Sequence, residues 1–234
     1  MSCFRFKEFA IRQSDTPMKV GTDGVLLGAW TRIDGDEKRI LDIGTGTGVI
    51  ALMMAQRTSQ AEVVGVDIDS VEEARYNGDQ SPWAARVRFL QTPIQAFQAE
   101  PFDLIVSNPP FFTESLKCPD RGRTMARHAV ALPFEELRDA VARLLHKEGR
   151  FAFVLPLVEA ERFIRLCEGV MRPIRRTEVR TTPRHPAKRL LVEMVHQDAS
   201  MRTFTCDELM IGTGEHETYT EAYRALTRDF YLKF

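Results

Sequence analysis

Short apolar runs and amphipathic stretches take turns along most of this chain. Residues 38–43, 62–67, 87–91, 102–107 and 151–155 are apolar or β-branched runs of strand length bounded by turn residues. Between them, 49–57, 71–80 and 133–145 carry apolar positions at helical spacing, and Pro133 opens the last of these. Residues 157–171 read as a further helix. The runs 174–181 and 190–196 follow with no helix between them, so they should pair as an antiparallel hairpin across a basic loop.

Alternation of this kind predicts an α/β chain with a Rossmann-like, doubly wound, mostly parallel sheet of seven strands. The C-terminal hairpin completes that sheet. One domain over 1–234 is expected, with 38–198 as the core sheet. Residues 1–37 form an N-terminal extension packing on the cofactor pocket, and 199–234 form a C-terminal tail. Both flanks are rich in aromatic and apolar residues, so both should pack on the core.

Composition adds little beyond class. Hydrophobic residues at 44% and charged residues at 28% suit a globular protein with a real core. No apolar stretch reaches the roughly 18–20 residues of a membrane span, and the expected compartment is the cytoplasm. Cys3, Cys118, Cys167 and Cys206 lie far apart, which favours scattered thiols over a zinc site or disulfide framework. No metal is expected, and no obligatory protein partner is evident.

Charge matters through its distribution. The net charge of −1 argues against a protein that coats nucleic acid nonspecifically. Yet Arg121, Arg123, Arg127 and His128 crowd one stretch, and Arg176, Arg180, Arg184, Lys188 and Arg189 crowd another. Most such runs are solvated surface. Here the first begins about ten residues after a chemically suggestive motif, which favours phosphate contacts.

Two segments carry the chemistry. The first is Asp42-Ile43-Gly44-Thr45-Gly46-Thr47-Gly48, a glycine-rich turn after a strand. Such turns serve more than one nucleotide-bearing cofactor. The glycines stand at alternate positions, however, and dinucleotide binders space the third one residue further. Asp42 before the turn would repel a pyrophosphate but could accept a hydrogen bond from a cationic amino group. Asp67 closes the next strand about 20 residues on, where a carboxylate can hold ribose hydroxyls. Helix capping is the plainer role for Asp69, and a lesser alternative for Asp67.

The second segment is Asn108-Pro109-Pro110-Phe111, directly after the run 102–107. In an open parallel sheet this lies at the carboxyl edge beside the glycine turn. The Asn108 side-chain carbonyl and the Pro109 main-chain carbonyl can accept both hydrogens of a conjugated amine. That enriches the nitrogen and aims its lone pair, while Phe111 offers a stacking face. An ordinary proline turn is the alternative.

Together these segments resemble the class I S-adenosylmethionine-dependent methyltransferases, whose fold and cofactor the resemblance implies. In that family an acidic residue after the third strand usually meets the cofactor's adenine. Here the stretch is Leu90-Gln91-Thr92-Pro93-Ile94, so Thr92, Pro93, Ile94 or Asn108 must serve instead. Gly44, Thr45, Gly46, Gly48, Asp67 and Ile68 complete the expected cofactor set with Asp42. The Asn-Pro-Pro-aromatic motif looks like that of enzymes methylating adenine, guanine or a protein glutamine amide.

The flanks narrow this. Residues 18–30 (MKVGTDGVLLGAW), 80–84 (QSPWA) and 219–227 (YTEAYRALT) closely resemble the bacterial tRNA1(Val) adenine-37 N6-methyltransferases, and the resemblance covers nearly the whole chain. It implies methyl transfer to the adenine just 3′ of a valine-tRNA anticodon, where loop bases are already splayed. By resemblance Lys19, Thr22 and Asp23 line the cofactor pocket, although Thr22 or Asp23 could instead cap the helix that follows. Tyr219, Tyr223, Phe230 and Tyr231 fit a core-facing stripe better than a stacking platform. His196 and His216 have no metal-ligand companions. A guanine N2-methyltransferase of ribosomal RNA, a protein glutamine N-methyltransferase and a noncatalytic RNA chaperone remain as alternatives.

Overall fold

Mostly apolar sequence builds the centre of the sheet. Arg39–Ile43 (β3) and Phe102–Ser107 (β6) are buried on both faces, as parallel strands covered by helices must be. The computed structural model describes residues 2–14, 19–110, 132–216 and 218–234. Before β3 come a short hairpin, β1 (Cys3–Arg5) and β2 (Ala10–Arg12), and helix α1 (Thr22–Trp30). After it come α2 (Val49–Arg57), β4 (Glu62–Asp67), α3 (Glu72–Asp79) and β5 (Val87–Gln91). Beyond β6 follow α4 (Phe134–Leu144), β7 (Leu145–Pro156) and α5 (Leu157–Leu166). The chain ends with β8 (Met171–Arg180), β9 (Arg189–His196), β10 (Thr205–Met210) and α6 (Glu221–Thr227).

The main sheet runs β10-β8-β9-β7-β6-β3-β4-β5. Strands β3 to β7 are parallel, β9 is antiparallel to both β7 and β8, and β10 is parallel to β8. The α/β sheet and its C-terminal hairpin are therefore as expected, but among the described residues the main sheet has eight strands rather than seven. The extra strand is β10, from the stretch set apart as a tail. Its residues are largely exposed at the sheet's edge, so it lacks the apolar pattern of a covered strand. Among the described residues, no helix is long and apolar enough to cross a membrane.

Alternate residues of each central strand point to opposite layers. Ile40, Leu104 and Val106 join the core under α1, α2 and α3, while Leu41, Ile43 and Ile105 join the core under α4 and α5. The flanks close over one another: the Lys7 main-chain N–H donates to the Phe230 carbonyl at 2.9 Å. An ion-pair cluster fixes the segment ahead of β3. Arg150 is buried and donates to Glu193 at 2.8 Å and to Glu37 at 2.5 Å, and both carboxylates are buried.

Candidate active site

Register brings the two sequence motifs together. Ile43 pairs with Val66 on one side and with Ser107 on the other. The glycine turn therefore emerges between Asp67 and Asn108, each one strand spacing, about 4.8 Å, to its side. The Ser107 hydroxyl donates to the Ile43 carbonyl at 2.9 Å and ties the carboxyl ends of β3 and β6.

The turn is held by its own bonds. The N–H groups of Gly44 and Thr45 donate to the Val66 carbonyl at 2.9 and 3.0 Å, and Gly48 N–H donates to Thr45 at 2.8 Å. Gly44 and Gly46 have φ of 72° and 53°, and beyond their chain neighbours no atom of the described residues lies within 4 Å of where a Cβ would project. This bare backbone faces a cavity of about 700 Å³. Gly48 (φ 82°) has a different reason: a Cβ there would come within 2.8 Å of the Phe89 ring.

Asp67 lies on the cavity wall. Its Oδ2 accepts the Gly46 N–H at 2.8 Å, and its Oδ1 accepts the Asp69 N–H at 3.0 Å. Burial pushes its carboxyl above the ordinary value, and those N–H groups offset part of the shift. A neutral diol donating to this carboxylate would supply further compensation. Of the other expected residues, Gly44, Gly46, Ile68, Thr92, Pro93 and Ile94 line this cavity, as do Asn108, Pro109 and Pro110. Asn108 and Pro110 are half-buried and Pro109 is buried. Phe111, Arg121, Arg123 and Arg127 lie outside the described residues.

Several expected site residues stand off this wall. Asp42 is fully buried and is not on the cavity wall. Its Oδ2 accepts the Thr45 hydroxyl at 2.7 Å and the Ala51 N–H at 3.2 Å, which braces the turn from beneath. Burial pushes this carboxyl up to about 7, and its Oδ1 has no hydrogen-bond partner among the described residues. Thr45 and Gly48 likewise act from behind the turn, both being buried.

Thr22 and Asp23 sit on the wall of a second cavity, of about 810 Å³, and Lys19 is exposed outside both walls. Asp23 pairs with Arg189 at 2.7 Å. The basic strand positions also divide. Arg176 is bonded to Glu161, and Arg180 lies 3.5 Å from Glu208. Only Arg184, Lys188 and Arg189 gather at the β8–β9 connection, where Arg184 and Lys188 are exposed.

The structure adds wall residues that sequence reading missed. Arg12 of β2 lines the first cavity, with Glu73 of α3 3.6 Å away. Glu136 of α4 joins them and is bonded to Gln95. Nothing local marks these positions, because each is an ordinary polar residue whose relevance comes from packing. The tyrosines are partly corrected too. Tyr223 and Phe230 are buried as expected, but Tyr219 is exposed and Tyr219, Tyr223 and Tyr231 wall the second cavity. Among the described residues, no group of His, Cys, Asp and Glu could hold a metal ion.

Comparison with known proteins places this geometry. A family described as a methyltransferase domain matches residues 34–221. The tRNA1(Val) (adenine(37)-N6)-methyltransferase of Flavobacterium psychrophilum is 44% identical, covering 98% of this chain and 99% of the relative. The same-named proteins of Phocaeicola vulgatus and Trichodesmium erythraeum are 44% and 43% identical. They cover 98% and 99% of this chain, and 97% and 98% of their own lengths. Among solved structures, a predicted O-methyltransferase from Agrobacterium tumefaciens superimposes with a TM-score of 0.70 at 20% identity. It covers 89% of this chain and 96% of its own. The N-methyltransferase NodS of Bradyrhizobium japonicum, solved with S-adenosyl-L-homocysteine, gives 0.51 at 16% identity, over 74% of this chain and 84% of its own. The structures speak for the fold alone. By the full-length relatives, the chain belongs to the tRNA1(Val) (adenine(37)-N6)-methyltransferase family.

Proposed function

We propose that this chain methylates the exocyclic N6 amine of adenine 37 in tRNA1(Val), using S-adenosylmethionine. The observation that carries the reading is the placement of Asn108-Pro109-Pro110 on the wall of the cavity that also holds Gly44, Gly46 and Asp67. Amine acceptors and a cofactor cradle share one enclosure. The full-length relatives bearing that name support the choice of substrate.

The residues present fit the cofactor. Bare backbone at Gly44 and Gly46 leaves room for close approach, and Asp67 offers a carboxylate to a ribose diol. Ile68, Pro93 and Ile94 give apolar contact to a purine, with Thr92 beside them. When bound, S-adenosylmethionine supplies an electrophilic methyl carbon and a neutral thioether leaving group.

The chain's own residues do the rest by holding and aiming. The Asn108 side-chain carbonyl and the Pro109 main-chain carbonyl accept the two amine hydrogens, which turns the nitrogen lone pair toward the methyl donor. Phe111 stacks on the base. No strong base is required, since the surplus proton leaves to water once the nitrogen carries the methyl. Alignment supplies most of the rate. Arg184, Lys188 and Arg189 meet anticodon-loop phosphates, a role the sequence also suggests for Arg121, Arg123 and Arg127, which lie outside the described residues. The work is done in the cytoplasm by the chain without an obligatory protein partner.

The direct test incubates purified protein with tRNA from cells lacking it and methyl-labelled S-adenosylmethionine, then digests to nucleosides. Label in N6-methyladenosine from valine tRNA is expected. Label in a methylated guanosine, or only when ribosomal RNA is supplied, would move the substrate and leave the fold.

A further inference from the structure

The second cavity opens on the same edge of the sheet as the first. Val179 and Thr181 lie at the end of β8, Lys188 and Arg189 at the start of β9, and Ile211 just past β10. Arg189 is in register with Pro156 at the end of β7, and β7 lies beside β6, which delivers Asn108. The cavity therefore begins two strand positions from the amine acceptors, about 10 Å across the sheet. The glycine turn lies on the far side of Asn108.

Its walls combine aromatic faces with cations. Tyr219 is 37% exposed and meets Phe234 edge-on at 5.1 Å, and Phe234 meets Tyr231 in the same way at 5.4 Å. Tyr223 and Tyr231 are hydrogen-bonded to each other, which engages both of their hydroxyls. Arg5, Lys188 and Lys233 are exposed around it. Among the described residues Asp23 is the wall's one acidic side chain, and it is answered by Arg189 at 2.7 Å. A positive rim on a chain of net charge −1 favours an anionic occupant, and aromatic faces favour a base.

We propose that this second cavity is a subsite for a neighbouring nucleotide of the RNA strand. In it a base stacks against Tyr219 and Phe234, and Arg5, Lys188 and Lys233 meet the backbone phosphates. The proposal rests on the reading of the substrate as RNA whose adenine amine is held by Asn108. The subsite would hold the strand on one side of the target adenine while the first cavity holds the methyl donor on the other. The chain could then grip a short loop without a separate recognition domain.

The test uses a fluorescent transcript of the tRNA1(Val) anticodon stem-loop and reads binding by anisotropy, separately from turnover. Tyr219→Ala should weaken binding about tenfold, and Tyr219→Phe should restore it, since the face is kept. Lys188→Ala and Lys233→Ala should each lower the slope of log affinity against log salt by about one. In all of these variants S-adenosylmethionine affinity should be unchanged and the loss should appear in KM for RNA, with kcat largely kept. Unchanged RNA affinity and salt slope in folded Tyr219→Ala and Lys188→Ala proteins would overturn the subsite. Failure of the wild-type protein to methylate adenine would refute the substrate reading alone, because the binding arms still decide whether RNA enters this cavity.

Discussion

Asp67 Oδ2 accepts the main-chain N–H of Gly46 at 2.8 Å, so the carboxylate at the end of β4 and the glycine turn after β3 form one hydrogen-bonded unit. The turn orients the acid as much as the acid orients the turn. Asp67→Ala should therefore lose both the diol contact and the brace on Gly46. A hydrogen bond to a charged group is worth about 1.5–3 kcal/mol, so S-adenosylmethionine affinity should fall at least tenfold by calorimetry. Asp67→Asn keeps an acceptor for Gly46 and should lose less. Equal affinity in wild type and Asp67→Ala would remove Asp67 from the cofactor site.

Asn108 should separate chemistry from cofactor binding. Asn108→Ala removes one of two amine acceptors at the carboxyl end of β6. Misaligning the nucleophile costs about 100-fold or more, and this should appear in kcat with S-adenosylmethionine affinity nearly unchanged. Loss of cofactor binding with kcat preserved would contradict the role.

Asp42 makes stability depend on pH in a defined direction. Burial raises its carboxyl from 3.8 to about 7 in the folded protein. The stabilising contribution of its protonated form is fully present below about 4. It is lost as pH rises through about 7, because the folded state then carries a buried charge. Asp42→Asn cannot ionise. The Tm of wild type should fall relative to this variant between pH 5 and pH 7 and then level off. A Tm difference that stays constant over this range would exclude Asp42 as the titrating group.

Phe89 packs where three glycines leave room. A Cβ at Gly48, Gly65 or Gly78 would lie 2.6–2.8 Å from its ring, and at Gly65 it would also meet the Thr45 hydroxyl. Gly65→Ala should destabilise the protein by about 1–3 kcal/mol through overpacking. Combining it with Phe89→Leu should recover at least ~0.5 kcal/mol against additivity. Denaturant titration of the two single variants and the double variant measures this directly, and strict additivity would refute the steric account.

The sheet was legible because its central strands are largely apolar runs separated by turn residues, as in Arg39–Ile43 and Phe102–Ser107. The same signal failed for β10, which is solvated and gains strand structure only by pairing with β8. At the sheet's carboxyl edge, the common location of Gly44, Gly46, Asp67 and Asn108 was legible because each closes or follows a strand whose register is fixed by its apolar neighbours. The burial of Asp42 was not legible, because sequence position does not show which way a side chain at a strand end turns. That Thr22 and Asp23 line the second cavity was not legible for a related reason. Their local pattern marks a helix start, and only the docking of α1 beside β9, seen in the Asp23–Arg189 pair, decides what they face. Arg12 and Glu136 gave no signal at all, since they reach the wall from elements distant in sequence.

Glycine-rich turns are often taken for pliable ones, and this turn should behave otherwise. The N–H groups of Gly44, Thr45, Gly46 and Gly48 are all donated within the turn or to β4. Backbone already bonded in this way does not need to order itself when a ligand arrives, so little entropy is lost at that step. Its amide protons should exchange with solvent deuterium slowly in the ligand-free protein, on the timescale of the central strands and not of the surface loops.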